Sequence, residues 1–233
     1  TGLSVADGDF IYIRWSGADN GGSGSRDEFA LDDISIVANP TTVFPSAGGS
    51  IDAAIITGDV TLSSNLTIAD SLALNGGKVF LGDFDLSLVN TLTGAVTVYS
   101  PTSYVVTNGT GSFKRGVVEN EYYEFPIGNT ANLQLAQIDF TEILSEADAV
   151  LNTLSTRFIN GGSGTNGLPL MESGDNIEKT SGYGYWEVNA EFVSSNAYKG
   201  TFTAKGFIDI IDYTKLHLVK RDNSASAWVL NGN

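Results

Sequence analysis

Between residues 60 and 98 the chain repeats one short pattern: an apolar residue, any residue, a second apolar residue, then a polar break. Its members are Val60-Thr61-Leu62, Leu66-Thr67-Ile68, Leu72-Ala73-Leu74, Val79-Phe80-Leu81, Leu86-Ser87-Leu88 and Val96-Thr97-Val98. Their starting positions advance by 6, 6, 7, 7 and 10 residues. Alternation inside each triplet is a strand signal, and the polar breaks are turns. A strand of three residues cannot bury a face by itself, but it becomes stable when stacked on others. Val60 to Val79 spans 19 residues and Leu66 to Leu86 spans 20, so about three triplets complete one rung. The expectation is a β-solenoid-like ladder over residues 42–115, with Leu66, Leu72, Val79 and Leu86 inside.

Composition agrees with an all-β chain. There are 27 glycines among 233 residues, together with abundant Asn, Ser and Thr, a mixture that favours turns over long helices. The net charge is −15, with only 12 Lys and Arg, so no basic patch exists to neutralise phosphates. Nucleic acid and anionic membrane surfaces are therefore poor partners. No apolar run approaches the roughly 18 residues that insertion across a bilayer requires. Cysteine is absent, which excludes a disulfide framework, thiolate metal sites and a Cys nucleophile. The chain opens on Thr1-Gly2-Leu3-Ser4 and closes on Asn231-Gly232-Asn233, and both ends read as cuts in a longer polypeptide.

Two further units flank the ladder. Residues 1–38 carry two strand candidates, Phe10 to Trp15 and Phe29 to Val37, separated by the polar loop Gly17 to Ser25. Two strands are marginal alone, so this piece reads as the end of a sandwich whose first strands are missing and whose inward set needs a partner sheet. Asn39-Pro40-Thr41-Thr42 reads as a linker. Residues 116–233 read as a β-sandwich. Its strand candidates are Tyr122–Phe125, Leu133–Phe140, Val150–Ile159, Tyr183–Phe192, Gly200–Ala204, Lys215–Lys220 and Ala227–Leu230. Thr141 to Val150 is ambiguous, because its spacing also fits one or two helical turns.

The segment Asp9 to Trp15 followed by Phe29-Ala30-Leu31-Asp32-Asp33-Ile34-Ser35-Ile36 resembles the closing strands of jelly-roll modules of the MAM and carbohydrate-binding type. Later stretches resemble large multidomain surface proteins exported by the type IX secretion system. These are Tyr104 to Ser112, Glu124-Phe125-Pro126-Ile127-Gly128, Gly167-Leu168-Pro169-Leu170 and Leu216 to Arg221. The resemblance implies architecture, an extracellular, cell-surface location and an export route, and it implies no reaction. The C-terminal sorting domain of such cargo has no counterpart in this sequence.

Asp32 and Asp33 point to opposite faces of a strand, and Asp32 shares its face with Ala30, Ile34 and Ile36. A carboxylate there must be paired, coordinated or hydrogen-bonded. In the resembling modules such an aspartate can hold a structural Ca²⁺, with loop carbonyls completing the oxygen shell. A pairing with Arg14 or Arg26 meets the same need. Asp83 and Asp85, at a ladder turn, read as solvated or calcium-binding. Tyr183, Tyr185 and Glu187 share one strand face, which suits either a sugar-binding surface or a cross-strand aromatic pair. His217, the single histidine, alternates with Leu216 and Leu218 and reads as an outward surface residue. Asp70-Ser71-Leu72 resembles the Asp–Ser/Thr–apolar O-glycosylation site of bacteria with this secretion route, which makes Ser71 the candidate acceptor. No nucleophile–base pair, phosphate loop or transition-metal ligand set is visible.

The sequence therefore points to a non-catalytic segment of a secreted cell-surface protein, serving as stalk, adhesin or filament scaffold. Its expected partners are neighbouring domains or chains of the same surface assembly, and glycans. The alternative is the carbohydrate-binding accessory region of a secreted hydrolase or nuclease.

Overall fold

A computed structural model describes residues 49–145, 151–195 and 197–230. The closing jelly-roll strands expected over residues 1–38, with Asp32 and Asp33, lie outside the described residues. The ladder begins with β1 (Gly49–Ile56), β2 (Val60–Thr61), β3 (Leu66–Leu74) and β4 (Val79–Phe80). It continues with β5 (Leu86–Leu88), β6 (Val96–Thr97), β7 (Val105–Val106) and β8 (Phe113–Gly116).

All pairings among these strands are parallel, and they form three columns. Val60 pairs with Val79 and Val79 with Val105 in the first. Gly49, Leu66, Leu86 and Phe113 follow one another in the second. Leu72 pairs with Val96 in the third. The 19- and 20-residue spacings seen in the sequence are thus the registers of two columns. β1 and β3 each serve two columns, turning a corner where the register skips between Ile51↔Ile68 and Ala53↔Ser71.

Each triplet sends its outer two residues inward. Leu66, Ile68, Leu72, Leu74, Val79, Leu81, Leu86 and Leu88 are buried in one continuous core. Burying each such side chain contributes about 1.5–3 kcal/mol, which no isolated triplet could collect. The last triplet departs from the pattern: Val98 has φ 59° and is exposed, because the chain turns out of the column after Thr97.

The corners are held by side chains that bond the next rung. Asn65 Oδ1 accepts from the Asp85 N–H, and Asp85 Oδ1 accepts from the Ser112 N–H, both at 2.9 Å. Asp59 Oδ1 accepts from the Lys78 N–H and Asn108 Oδ1 from the Gly82 N–H, also at 2.9 Å. These oxygens satisfy corner amides that have no strand partner. Rungs also touch through backbone. A Cβ on Gly77 would lie 2.1 Å from the Gly58 carbonyl carbon, so only glycine fits there.

Beyond β8 the chain builds the sandwich directly on the last rung. Its strands are β9 (Tyr122–Phe125), β10 (Ile127–Gly128), β11 (Ala136–Phe140), β12 (Leu144–Ser145) and β13 (Thr153–Asn160). They continue with β14 (Leu170–Glu172), β15 (Asp175–Ile177), β16 (Gly184–Glu191), β17 (Val193–Ser194), β18 (Tyr198–Phe202), β19 (Val219–Lys220) and β20 (Val229–Leu230). β10 extends the first column, with Ile127 beside Val105. β13 joins β8 antiparallel, and β16 joins β13 antiparallel, so one sheet runs in the order β1-β3-β5-β8-β13-β16. The facing sheet has the order β18-β11-β9.

Six of the seven strand candidates hold strands within a few residues of their expected ends. The Lys215–Lys220 candidate begins on the last residue of a short 3₁₀ turn, Tyr213–Lys215, runs irregularly through residues 216–218, and is extended only at Val219–Lys220. Within the ambiguous Thr141 to Val150 stretch, Leu144–Ser145 is strand, and residues 146–150 lie outside the described residues.

Candidate functional site

The sandwich carries an open groove between β16, β18 and the segment that follows Phe202. Its floor is aromatic. Trp186 on β16 lies 5.3 Å from Phe158, 5.2 Å from Phe202 and 6.0 Å from Phe207, ring centre to ring centre. The Phe207 ring is parallel to the indole, and Tyr183 packs against Phe207 at 6.1 Å. The indole N–H donates to the Gln134 carbonyl at 2.9 Å, so the buried polar end of the ring is satisfied.

The three sequence-predicted ligand residues separate. Tyr185 and Glu187 share the outer face of β16, opposite Trp186. Tyr183 precedes the strand, so alternation does not govern it, and its ring joins the aromatic cluster instead. It is 40% exposed. Glu187 is committed to Arg157, whose Nη2 lies 3.0 Å away, and it accepts from Asn189 Nδ2 at 3.1 Å. Partial burial pushes its pKa up, but the Asn189 and Arg157 hydrogen bonds outweigh this and hold the carboxyl below the usual range. It is an ionised acceptor rather than a proton donor at neutral pH.

A second polar cluster lines the groove where β14 and β15 meet. Ser173 and Gly174 both have positive φ, 52° and 91°, which is the geometry of a tight two-residue hairpin. The hairpin sets Glu172 and Asp175 side by side. His217 stands between them, with Nδ1 2.5 Å from Glu172 and Nε2 3.4 Å from Asp175. Lys215 Nζ lies 3.5 Å from the other Asp175 oxygen. The Glu172 hydrogen bond is the main cause of a raised His217 pKa, and both ring nitrogens donating means the imidazolium form.

His217 is therefore not the outward residue that alternation implies. Leu216 and Leu218 are the exposed neighbours, because this segment is not extended strand. The hairpin itself escaped sequence reading, although Glu172-Ser173-Gly174-Asp175 is a turn signal.

The remaining candidates fall elsewhere. Ser71 is half-buried on β3, next to the exposed corner residue Asp70, which accepts from Asn90 Nδ2 at 3.1 Å. Asp83 accepts from the Thr110 N–H and hydroxyl, both at 3.0 Å, and these bonds lower its pKa. Asp85 holds the Ser112 amide and lies 3.2 Å from Lys114 Nζ. Both turn aspartates thus serve the inter-rung contacts. Among the described residues no group of three or more His, Cys, Asp or Glu is placed to hold a metal ion.

One buried charge was missed by sequence reading. Arg115 on β8 is fully buried. Its guanidinium donates to the carbonyls of Glu124 (2.9 Å), Leu92 (3.0 Å) and Thr93 (3.2 Å). The rings of Tyr123 and Phe125 lie 5.2 and 5.9 Å from it. Burial lowers its pKa to about 10, so it remains charged at neutral pH. It closes the solenoid core where the sandwich begins. Comparison with family models, with curated proteins and with solved structures found no match to this chain.

Proposed function

We propose that this chain is a non-catalytic segment of a secreted cell-surface protein, where it acts as a scaffold that spaces or presents other parts of the assembly. The observation that carries this reading is the stack of parallel rungs merging without a break into the sandwich sheet at β8. Such a stack is stiffened by short, repeated contacts between neighbours rather than built around a pocket. The net charge of −15 favours solubility of such a surface. Export by the type IX route, adhesion, Ca²⁺ at Asp32 and Asp33 and glycosylation at Ser71 belong to the same reading.

A second reading is favoured by the groove. Tyr183, Phe207 and Trp186 form an aromatic run beside the carboxylate of Asp209, which accepts from the Gly182 N–H at 2.8 Å. Rings and fixed carboxylates are the groups with which proteins hold sugars, and this would make the chain a carbohydrate-binding accessory region.

Two measurements test the proposal. Antibody labelling of intact cells locates the chain, and the scaffold reading requires surface label. The purified chain is then offered a glycan array and polysaccharide, peptide and nucleic-acid substrates. A scaffold binds no glycan and turns over nothing. Specific glycan binding lost on Tyr183→Ala moves the assignment to the second reading. Reproducible turnover abolished by Glu187→Gln overturns both.

A further inference from the structure

The sheet that begins as the solenoid ends at β16, an eight-residue strand with one neighbour, β13. Its hydrogen-bonding phase follows from the turn beside it. The Gly161 N–H donates to the Tyr183 carbonyl at 3.2 Å, and Arg157 pairs with Glu187. Tyr185, Glu187, Asn189 and Glu191 therefore exchange their backbone bonds with β13. The N–H and C=O groups of Trp186, Val188 and Ala190 point the other way and have no partner among the described residues. Val188 is 37% exposed and Ala190 is exposed, so this edge is open.

Open edges are normally guarded by a central lysine, a proline or a bulge within the strand. β16 has none of these between Gly184 and Glu191. Its carboxylates are already neutralised from within, Glu187 by Arg157 and Glu191 by Lys114 at 2.9 Å. We propose that β16 is the contact through which two copies of this chain join, antiparallel, about a two-fold axis at Val188.

The sequence of the strand selects that register. With the axis at Val188, Val188 faces its own equivalent and Trp186 faces the partner's Ala190, a large residue against a small one. Glu187 faces the partner's Asn189, and Tyr185 faces the partner's Glu191. Moving the axis one residue to Glu187 sets two Glu187 carboxylates opposite each other. Moving it to Asn189 sets Glu187 opposite the partner's Glu191. Like charges directly opposite are destabilising, so both neighbouring registers are disfavoured and the Val188 register is not. The strand ends at Phe192, whose φ of 60° and 54% exposure leave its ring uncovered, and the partner's Gly184 lies at that end. The contact is isologous and closes on itself as a dimer. It joins two sheets without adding net charge at the seam, and it does not depend on where the protein resides.

The absence of cysteine makes the test direct. Val188 residues paired across the axis would have Cα atoms about 5.5 Å apart, within disulfide range. The full chain carrying Val188→Cys is expected to form an intermolecular disulfide under mild oxidation, much faster than a Thr97→Cys control on the ladder surface. The unsubstituted chain should sediment as a dimer. Val188→Lys, which sets two ammonium groups face to face at an exposed position, should sediment as a monomer that keeps the parent's circular-dichroism spectrum, and its melting temperature should lose the dependence on protein concentration that a dimer confers. A chain that sediments as a monomer at all accessible concentrations overturns the proposal. So does a dimer that survives Val188→Lys, or a Val188→Cys chain that cross-links no faster than the control.

Discussion

Arg115→Met tests whether a buried cation without a carboxylate holds the junction together. Methionine keeps most of the stem and removes the guanidinium. The Leu92 carbonyl retains the Ala95 N–H as a partner at 3.1 Å, so its loss is small. The Glu124 and Thr93 carbonyls lose their guanidinium donors in a buried site. A buried polar group left without a partner costs about 1–3 kcal/mol, which gives about 2–6 kcal/mol for the pair. Against this stands the relief of no longer burying a charge, which in other proteins can equal or exceed the pairing gained. The three charge-assisted bonds and two ring faces around Arg115 place the balance on the side of destabilisation, at about 3 kcal/mol. For a chain of this size that lowers the melting temperature by about 6–12 °C. Thermal and urea unfolding followed by tryptophan fluorescence reads the shift. Arg115→Lys should fall between the two, because an ammonium cannot reach three divergent carbonyls in one plane. A methionine variant as stable as the parent, or more so, would refute the reasoning and make Arg115 a tolerated burden rather than a clamp.

The two glycines that touch across one corner should behave oppositely. Gly77→Ala drives a Cβ into the Gly58 backbone and should destabilise by about 2–4 kcal/mol, whereas Gly58→Ala meets nothing within 4 Å and should be nearly neutral in the same melt. The His217 imidazolium, whose pKa is raised by Glu172 and Asp175, contributes stability that is fully present below the ordinary histidine value of about 6.5 and is lost as pH rises through its folded value. Amide protection factors at the Glu172–Asp175 hairpin, taken relative to the intrinsic base-catalysed rate, should therefore fall above neutral pH, and His217→Gln should remove that fall. Calcium added to metal-stripped chain should raise the melting temperature, and Asp32→Ala should remove the increment; identical melts with calcium and with EDTA would exclude the metal.

The ladder was readable because its chemistry is local. Inward residues alternate within each triplet, and one step in each of two columns spans 19 and 20 residues. The third column was harder to place, because Leu72 and Val96 are 24 residues apart with an inserted turn between them. Arg115 left a signal that went unread: it shares the inward face of its strand with Phe113. His217 was misplaced for the opposite reason. Alternation was applied to Leu216–Leu218, where the backbone is irregular and begins from the Asp212 side chain accepting the Thr214 N–H. Tyr183 was grouped with Tyr185 and Glu187 by the same rule, although the strand starts one residue later. The groove floor was not legible at all, since Trp186, Phe202 and Phe207 come from three separate segments and no spacing links them.

The registers of the ladder also bear on how such a chain changes length in evolution. Leu66 sits directly over Leu86, and Asn65 caps the residue before Leu86 much as Asp85 caps the residue before Phe113. Excising or duplicating the 20 residues between equivalent points swaps one floor for the next and leaves the Arg115 closure and everything after it untouched. Each such step changes the height of the stack by about 4.8 Å, the distance between neighbouring strands. A gene encoding this architecture holds a ruler with fixed graduations, on which unequal recombination within the repeats resets reach without having to reinvent either end.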